Sequence, residues 1–375
     1  MRLAIIRKQY SAFGGAEQFI ERLAHQLADR KVLVSIVAES WTGGSASNTQ
    51  WIQAKAGGIS RAGRYRAFLN SARTLLATRP FDLVQSHERF VGADICRLGD
   101  GLHRSWLNRY ALTLPRWRQH ALRLDPFHRQ MLQLEAQMFQ YPHTHFVANS
   151  RLVADEAQEI YGIDASRISL IPNGIDTEFF TPATLEQRVN SRKELQISEH
   201  AFVLCAVGVG FARKGFFDLV RCIALCQDVV LLIAGKDRLE AKLRYEITRL
   251  NLGNRIRLLG PIQGIRQVYW AADTFVLPSL YDPSSNAVLE ALACGLPVIT
   301  TRNVGTGLEV ESAQSGALCE RDQASIAEAI NAVQRQHSSM SKNARQLALK
   351  FSQDHTISAW WNLYQHSINK KAAES

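Results

Sequence analysis

Short apolar runs alternate with stretches of helical spacing along the whole chain. "LAIIR" near the start reads as a strand, and "GAEQFIERLAHQLADR" after it sets apolar residues at the intervals of an amphipathic helix. "VLVSIVAE", "FDLVQSH", "DICRLG" and "THFVANS" read as further strands. Strands that alternate with helices predict parallel βαβ units in a doubly wound sheet. After the turn-rich "SLIPNGIDTEFFTP" the alternation restarts with "FVLCAVG", "VVLLIAG", "IRLLG", "TFVLPS" and "PVITT". The expectation is an α/β chain of two domains, 1–170 and 171–354. The amphipathic tail of about 355–375 packs back on the first through Trp360 and Trp361. Ligands of such sheets bind beyond the carboxyl ends of the strands, so a cleft between two of them is the natural site.

Composition agrees with an ordinary folded protein: of 375 residues, 46% are hydrophobic and 21% charged. No run approaches the roughly 18 apolar residues of a membrane span. The first apolar run is too short for a signal peptide, which predicts a cytoplasmic protein. Cys96, Cys205, Cys222, Cys226, Cys294 and Cys319 lack metal-site spacing and read as buried free thiols. The net charge of +10 is uneven: from Arg61 to Arg129 there are thirteen arginines, no lysine and five acids. Trp106, Tyr110, Trp117 and Phe127 are interleaved with them. Arginine beside aromatics suits an anionic partner, either phosphorylated lipid headgroups or nucleic acid. A solvated helix face over ordinary core aromatics reads equally well.

The chemistry concentrates in "SLYDPSSNAVLEALACGLPVITT". Asp282 before Pro283 fits a helix cap with proline at the first helical position. Gly295 and Pro297 end that helix after about three turns. Its free amides, at a strand terminus, can receive phosphate. Glu290 stands in a run of Ala and Leu, too far along for the dipole to favour it. Taken singly, a surface position accounts for it; beside Asp282, its two oxygens match the adjacent hydroxyls of a ribose.

This run resembles the donor-site signature of the group-1 family of retaining nucleotide-sugar glycosyltransferases, with their two Rossmann-like domains of GT-B type. The resemblance implies that Asp282, usually Glu in the family, holds hydroxyls of the donor sugar. It further implies that Glu290 holds the ribose and that amides at Asn286 and Ala287 face the diphosphate. "FGGAEQFIERLA" is similar to the family's first loop and helix, where Gly14 and Gly15 approach the donor phosphate and the acceptor. "VGVGFARKG" is similar to its basic loop, with Arg213 and Lys214 neutralising the diphosphate. "VANSRLVADE", "LIPNGID" and "AADTFVLPS" match other landmarks, so the likeness runs from residue 1 to roughly 305. Base recognition is expected at backbone near Pro261 and Ile262. Asp100 stands where the family often carries a His, with His103 close by and His87 as another candidate.

The expected reaction is hexosyl transfer with retention, from UDP-glucose to a glycolipid such as a lipopolysaccharide core heptose. No Asp-x-Asp occurs, so no metal and no cofactor is expected beyond the nucleotide-sugar donor. The Arg–aromatic segment, with His103, Arg116, Arg118 and Arg123, would meet the anionic acceptor at the inner face of the cytoplasmic membrane. A UDP-sugar epimerase of the same architecture is the rival enzyme. An anion-binding protein for nucleic acid is the rival outside enzymes, though no nucleic-acid motif is present.

Overall fold

Seven strands form the first sheet: β1 (Arg2–Ile6), β2 (Leu33–Ala38), β3 (Thr49–Gln53), β4 (Leu83–Ser86), β5 (Ile95–Arg97), β6 (His145–Ala148) and β7 (Ile168–Leu170). Their spatial order is β3-β2-β1-β4-β5-β6-β7, and every pairing is parallel. The second sheet has β8 (Phe202–Val207), β9 (Val229–Ala234), β10 (Ile256–Gly260), β11 (Thr274–Leu277), β12 (Val298–Thr300) and β13 (Gly316–Leu318). It runs β10-β9-β8-β11-β12-β13, again all parallel. The computed structural model describes residues 1–9, 15–41 and 47–374.

Parallel strands covered on both faces are apolar along their length. Leu3, Ala4, Ile5 and Ile6 of β1 are fully buried, as are Val203, Leu204, Cys205 and Ala206 of β8. In register, Ile5 lies beside Ile36 on one side and Gln85 on the other. Three strands carry no such signal. β3 is a half-exposed edge strand, and β7 and β13 have three residues each at the far edges.

The chain divides into two compact units. The first is Met1–Asn173 with Thr356–Ser375, and the second is Gly174–His355. Helix Gln353–Glu374 gives the first unit two fully buried aromatics, Trp360 and Tyr364. They join Phe19, Leu23, Leu27 and Val34 in one cluster, with the Trp360 and Phe19 ring centroids 5.6 Å apart. Trp361 is half-buried, and the Arg30 guanidinium stands 5.2 Å from its ring. The second unit has one large core that includes Phe211, Phe216, Tyr269 and Phe275.

Strand order reverses between β1 and β4 in the first sheet and between β8 and β11 in the second. At such a switch point the loops beyond the carboxyl ends diverge and leave a crevice for ligand. In each unit the chemistry-bearing residues stand there. No helix among the described residues is long and apolar enough to cross a membrane.

Candidate functional site

Beyond β8 the chain turns through a glycine-bearing loop that is packed backbone to backbone against its neighbours. Gly235, after β9, has φ +136°, and a Cβ there would lie 2.1 Å from the Gly208 carbonyl oxygen. Gly215 has φ +79°, and its Cβ would lie 2.2 Å from the Pro278 oxygen. Only glycine permits both the conformation and the approach. Asp237 pins the loop from the side, since one carboxylate oxygen accepts from Gly210 N at 2.8 Å and Phe211 N at 3.1 Å. The loop therefore presents Arg213 and Lys214 at the switch point.

Both converge on Asp282. Lys214 Nζ donates to Asp282 Oδ2 at 3.0 Å, and Arg213 Nη1 lies 3.5 Å from the same oxygen. Arg213 also donates to the Tyr281 carbonyl at 2.9 Å. Lys214 and Asp282 are both buried. Burial alone would raise the Asp282 pKa, but Lys214 and then Arg213 outweigh it and hold the carboxyl below its ordinary range.

Asp282 is not the helix cap that its position before Pro283 predicts. Its N–H donates to Asn303 O at 3.0 Å, its carbonyl accepts from Gly305 N at 2.8 Å, and it forms a parallel bridge with Val304. That pairing keeps residue 282 extended, and Lys214 takes its side chain. The helix begins at Asn286, ends at Ala293 and is two turns long rather than three. Ser285 caps it without a side-chain hydrogen bond, so Asn286 and Ala287 supply its first amides. Glu290 consequently sits one turn into the helix, not two. It is half-buried and accepts from the Tyr269 hydroxyl at 2.7 Å. Burial first and Glu290 second raise the Tyr269 pKa well above its usual value, so the phenol stays a donor. Ile262 lies half-buried in the turn after β10, against the core of the second unit.

In the first unit, β1 runs into Arg7 and Lys8, β4 into His87 and Glu88, and the loop after β5 carries Asp100. A cavity of about 490 Å³ opens among Arg7, Lys8, Arg61, Tyr65, Asp100 and Phe127. Arg7 Nη1 donates to Asp100 Oδ2 at 2.7 Å. Partial desolvation opposes ionisation of Asp100, whose side chain is 56% exposed, but Arg7, helped by Arg89 and Arg97, holds its pKa below the usual value. Glu88 accepts from Lys8 N and the Tyr65 hydroxyl, each at 2.9 Å. The Arg61 guanidinium stands 3.6 Å from the centre of the Phe127 ring. Of these residues sequence reasoning placed Asp100 near the reacting sugar, and Arg61 and Phe127 only within the arginine–aromatic stretch. The arginine–lysine pair directly after the first strand was the signal it passed over.

His87 is buried behind this cavity. The Tyr364 hydroxyl donates to Gln85 Oε1 at 2.5 Å, and the Gln85 amide nitrogen stands 2.7 Å from His87 Nε2. With the Gln85 oxygen taken, its amide donates to the ring and leaves the imidazole proton on Nδ1. Burial, then Arg97 and Arg7, push the His87 pKa well below 6.5, so the ring is neutral.

His103 does not share the surface of the exposed arginines. It opens helix His103–Leu112 half-buried, with Nε2 3.1 Å from His128 Nδ1 and its ring stacked on Trp106. Burial, then Arg89 and His128, push its pKa down to about 3. Arg116, Arg118 and Arg123 lie on helix Arg116–Leu124, which buries none of its residues. Gly14 lies outside the described residues, and Gly15 is the first residue of helix Gly15–Ala28.

Comparison with known proteins bears on the family and the fold. Residues 187–347 match the family Glycosyl transferases group 1, and residues 13–179 match Glycosyltransferase Family 4. Lipopolysaccharide glucosyltransferase WaaG of Escherichia coli K12 is 24% identical over 331 residues, covering 85% of each chain. The crystal structure of WaaG superposes with a TM-score of 0.80 at 21% identity, covering 92% of this chain and 95% of that one. An Escherichia coli UDP-Gal:α-D-GlcNAc-diphosphoundecaprenol α-1,3-galactosyltransferase is 35% identical over 170 residues, 44% of this chain. The chain spans only 43% of that relative's length. Anabaena HepE, solved in complex with UDP-glucose, superposes over all of both chains with a TM-score of 0.73 at 18% identity.

Proposed function

The chain belongs to the group-1 glycosyltransferases of GT-B fold, and from that premise we propose that it moves glucose from UDP-glucose, with retention, onto a glycolipid acceptor. The observation that carries this reading is the convergence of Arg213 and Lys214 on the buried Asp282 at the switch point of the second sheet. The acceptor we assign is a heptose of a lipopolysaccharide core, by likeness to WaaG. UDP-glucose as donor is supported by its presence in the HepE complex.

In this reading the bond between C1 of the sugar and the UDP oxygen breaks as positive charge builds on the ring and negative charge on the β-phosphate. Arg213 and Lys214 stabilise that phosphate together with the amides of Asn286 and Ala287, which is where most of the rate enhancement arises. Asp282 orients hydroxyls of the hexose and does not attack it. Glu290, steadied by Tyr269, accepts from the ribose hydroxyls. The acceptor oxygen bonds to C1 on the face that UDP leaves, and its proton passes to the departing phosphate oxygen. Asp100, in the cavity of the first unit, contacts a hydroxyl of the reacting sugars, and the neutral His87 lies behind it.

The acceptor's membrane sets where the enzyme works. Helix Arg116–Leu124 exposes Trp117 and Leu124 beside Arg116, Arg118 and Arg123. An unburied helix of this composition lies on an anionic surface, which supports peripheral attachment to the inner face of the cytoplasmic membrane. The test is titration with UDP-glucose followed by turnover on a heptose-bearing glycolipid, with the anomeric configuration of the product read by NMR. A β-linked product would refute retention, and absence of any UDP-sugar binding would refute the reading as a whole.

A further inference from the structure

Helices His103–Leu112, Arg116–Leu124 and Pro126–Gln140 of the first unit enclose a trough of about 700 Å³. This is within the range of small-ligand pockets, about 300–1,000 Å³. Leu107 forms a buried floor, Ala111, Leu122 and Leu132 make half-buried walls, and Arg123 and Arg129 stand exposed at the rim. None of the described residues that line it is acidic. Arg104, Asn108, Arg109, Gln119 and His128 also line it, so polar groups stand directly beside the apolar floor and walls.

We infer that the trough takes one hydrocarbon chain of the acceptor glycolipid, with the phosphate near the polar end of that chain held by Arg123 and Arg129. Apolar walls and a basic rim in a single cavity demand both chemistries side by side in one ligand. A concave trough accommodates a chain drawn out of a bilayer, whereas the exposed helix beside it suits the bilayer surface itself. The placement fits an acceptor as well. His128 lines the trough, and its neighbour Phe127 lines the cavity that holds Asp100. The inference rests on the glycolipid reading above for the identity of the chain's owner.

Decyl phosphate below its micellar concentration, titrated against the whole protein and followed by tryptophan fluorescence, tests the trough without any membrane. Each methylene buried contributes about 0.8 kcal/mol, or roughly four-fold in affinity. Decyl phosphate should therefore bind about 15-fold more tightly than octyl phosphate, and decyl maltoside more weakly than decyl phosphate. Ala111→Trp, which fills the trough from a half-buried position, and Leu132→Asn should each weaken decyl phosphate at least ten-fold. Both variants should bind UDP-glucose like the parent. Affinity independent of chain length, or binding to vesicles alone, would overturn the inference.

Ownership of the chain is read from turnover. Ala111→Trp should raise KM at least ten-fold for the heptose-bearing glycolipid and leave it unchanged for the same oligosaccharide stripped of its chains. An unmoved KM for the glycolipid would show that the trough holds bulk lipid, and the assignment would fall. Should decyl phosphate bind as expected while no UDP-sugar binds, the donor reading fails and the trough as a chain site stands.

Discussion

The Tyr269 hydroxyl donates to Glu290 Oε2 across 2.7 Å, from a side chain with no exposed surface. One oxygen of the carboxylate is thus oriented before any ligand arrives. Hydrogen bonds to a charged group contribute about 1.5–3 kcal/mol. Glu290→Gln should therefore weaken UDP and UDP-glucose roughly 10- to 100-fold by calorimetry. Tyr269→Phe, which keeps the carboxylate and removes this one hydrogen bond, should weaken them by a smaller factor. Parent-like affinity in Glu290→Gln would remove the ribose from this residue.

Lys214→Met should lower kcat by about 10²–10³, the usual cost of deleting one preorganised donor at a developing charge. The same change leaves Asp282 buried with only Arg213 beside it. In the parent the Asp282 pKa is depressed, so its contribution to stability is present above the unfolded value of about 3.9 and is lost as pH falls through the lower folded value. In the variant, burial of Asp282 is opposed less, and the carboxyl's pKa rises. Urea midpoints measured from pH 5 down to pH 2 should then fall less steeply toward acid in Lys214→Met than in the parent. Parallel curves would mean that the lysine does not hold the carboxylate.

His103 gives the opposite residue type and a separate window. Its pKa is pushed down to about 3 from an ordinary 6.5, so between those values the unfolded chain binds a proton that the folded one does not. Stability is fully present above 6.5 and declines as pH falls below it. Allowing for partial exposure, about 1 kcal/mol should be lost between pH 6.5 and pH 5. His103→Asn should abolish that part of the slope, and an unchanged slope would assign it to other groups.

Replacing Arg116, Arg118 and Arg123 together with serine should reduce sedimentation with anionic vesicles. Each basic residue near such a surface contributes about 1 kcal/mol, so the partition coefficient should drop roughly 100-fold at low salt. Neutral vesicles should show no difference. Equal partitioning of parent and variant on anionic vesicles would leave these arginines as solvated surface.

Gly235→Ala should lower stability by several kcal/mol, because its Cβ would meet the Gly208 oxygen at a backbone conformation unsuited to alanine. Gly253→Ala is the control, since a Cβ there meets nothing within 4 Å. Thermal melts of the two variants should differ clearly. If Gly235→Ala melts with the parent, the packing between the β8 and β9 loops is looser than these contacts indicate.

The long interior strands were legible because burial on both faces leaves an unbroken apolar run, as in β1, β8 and β9. β3 was not, since Thr49, Gln50 and Gln53 give it the composition of a loop, and only pairing with β2 makes it a strand. β7 and β13 are too short to show any period. Within the site, the placing of Arg213, Lys214 and Asp282 at one donor site followed from the resemblance of two short motifs to the family's, not from residue spacing. The role of Asp282 in the backbone did not, because the Asp–Pro cap signal is local whereas its actual pairing is with residues 303–305. The cavity beside Asp100 was hidden for the same reason. Arg7, Arg61 and Phe127 are brought together only by the fold.

The burial of Trp360 and Tyr364 in the first unit has a temporal consequence. The unit whose strands are translated first lacks part of its interior until Trp360 and Tyr364 have been made. At about 5–20 residues per second, ribosomal synthesis holds that gap open for roughly 10–40 s after Asn173 is made. The half that is synthesised later can therefore finish folding sooner, while the earlier half waits with an apolar notch that only helix Gln353–Glu374 will close.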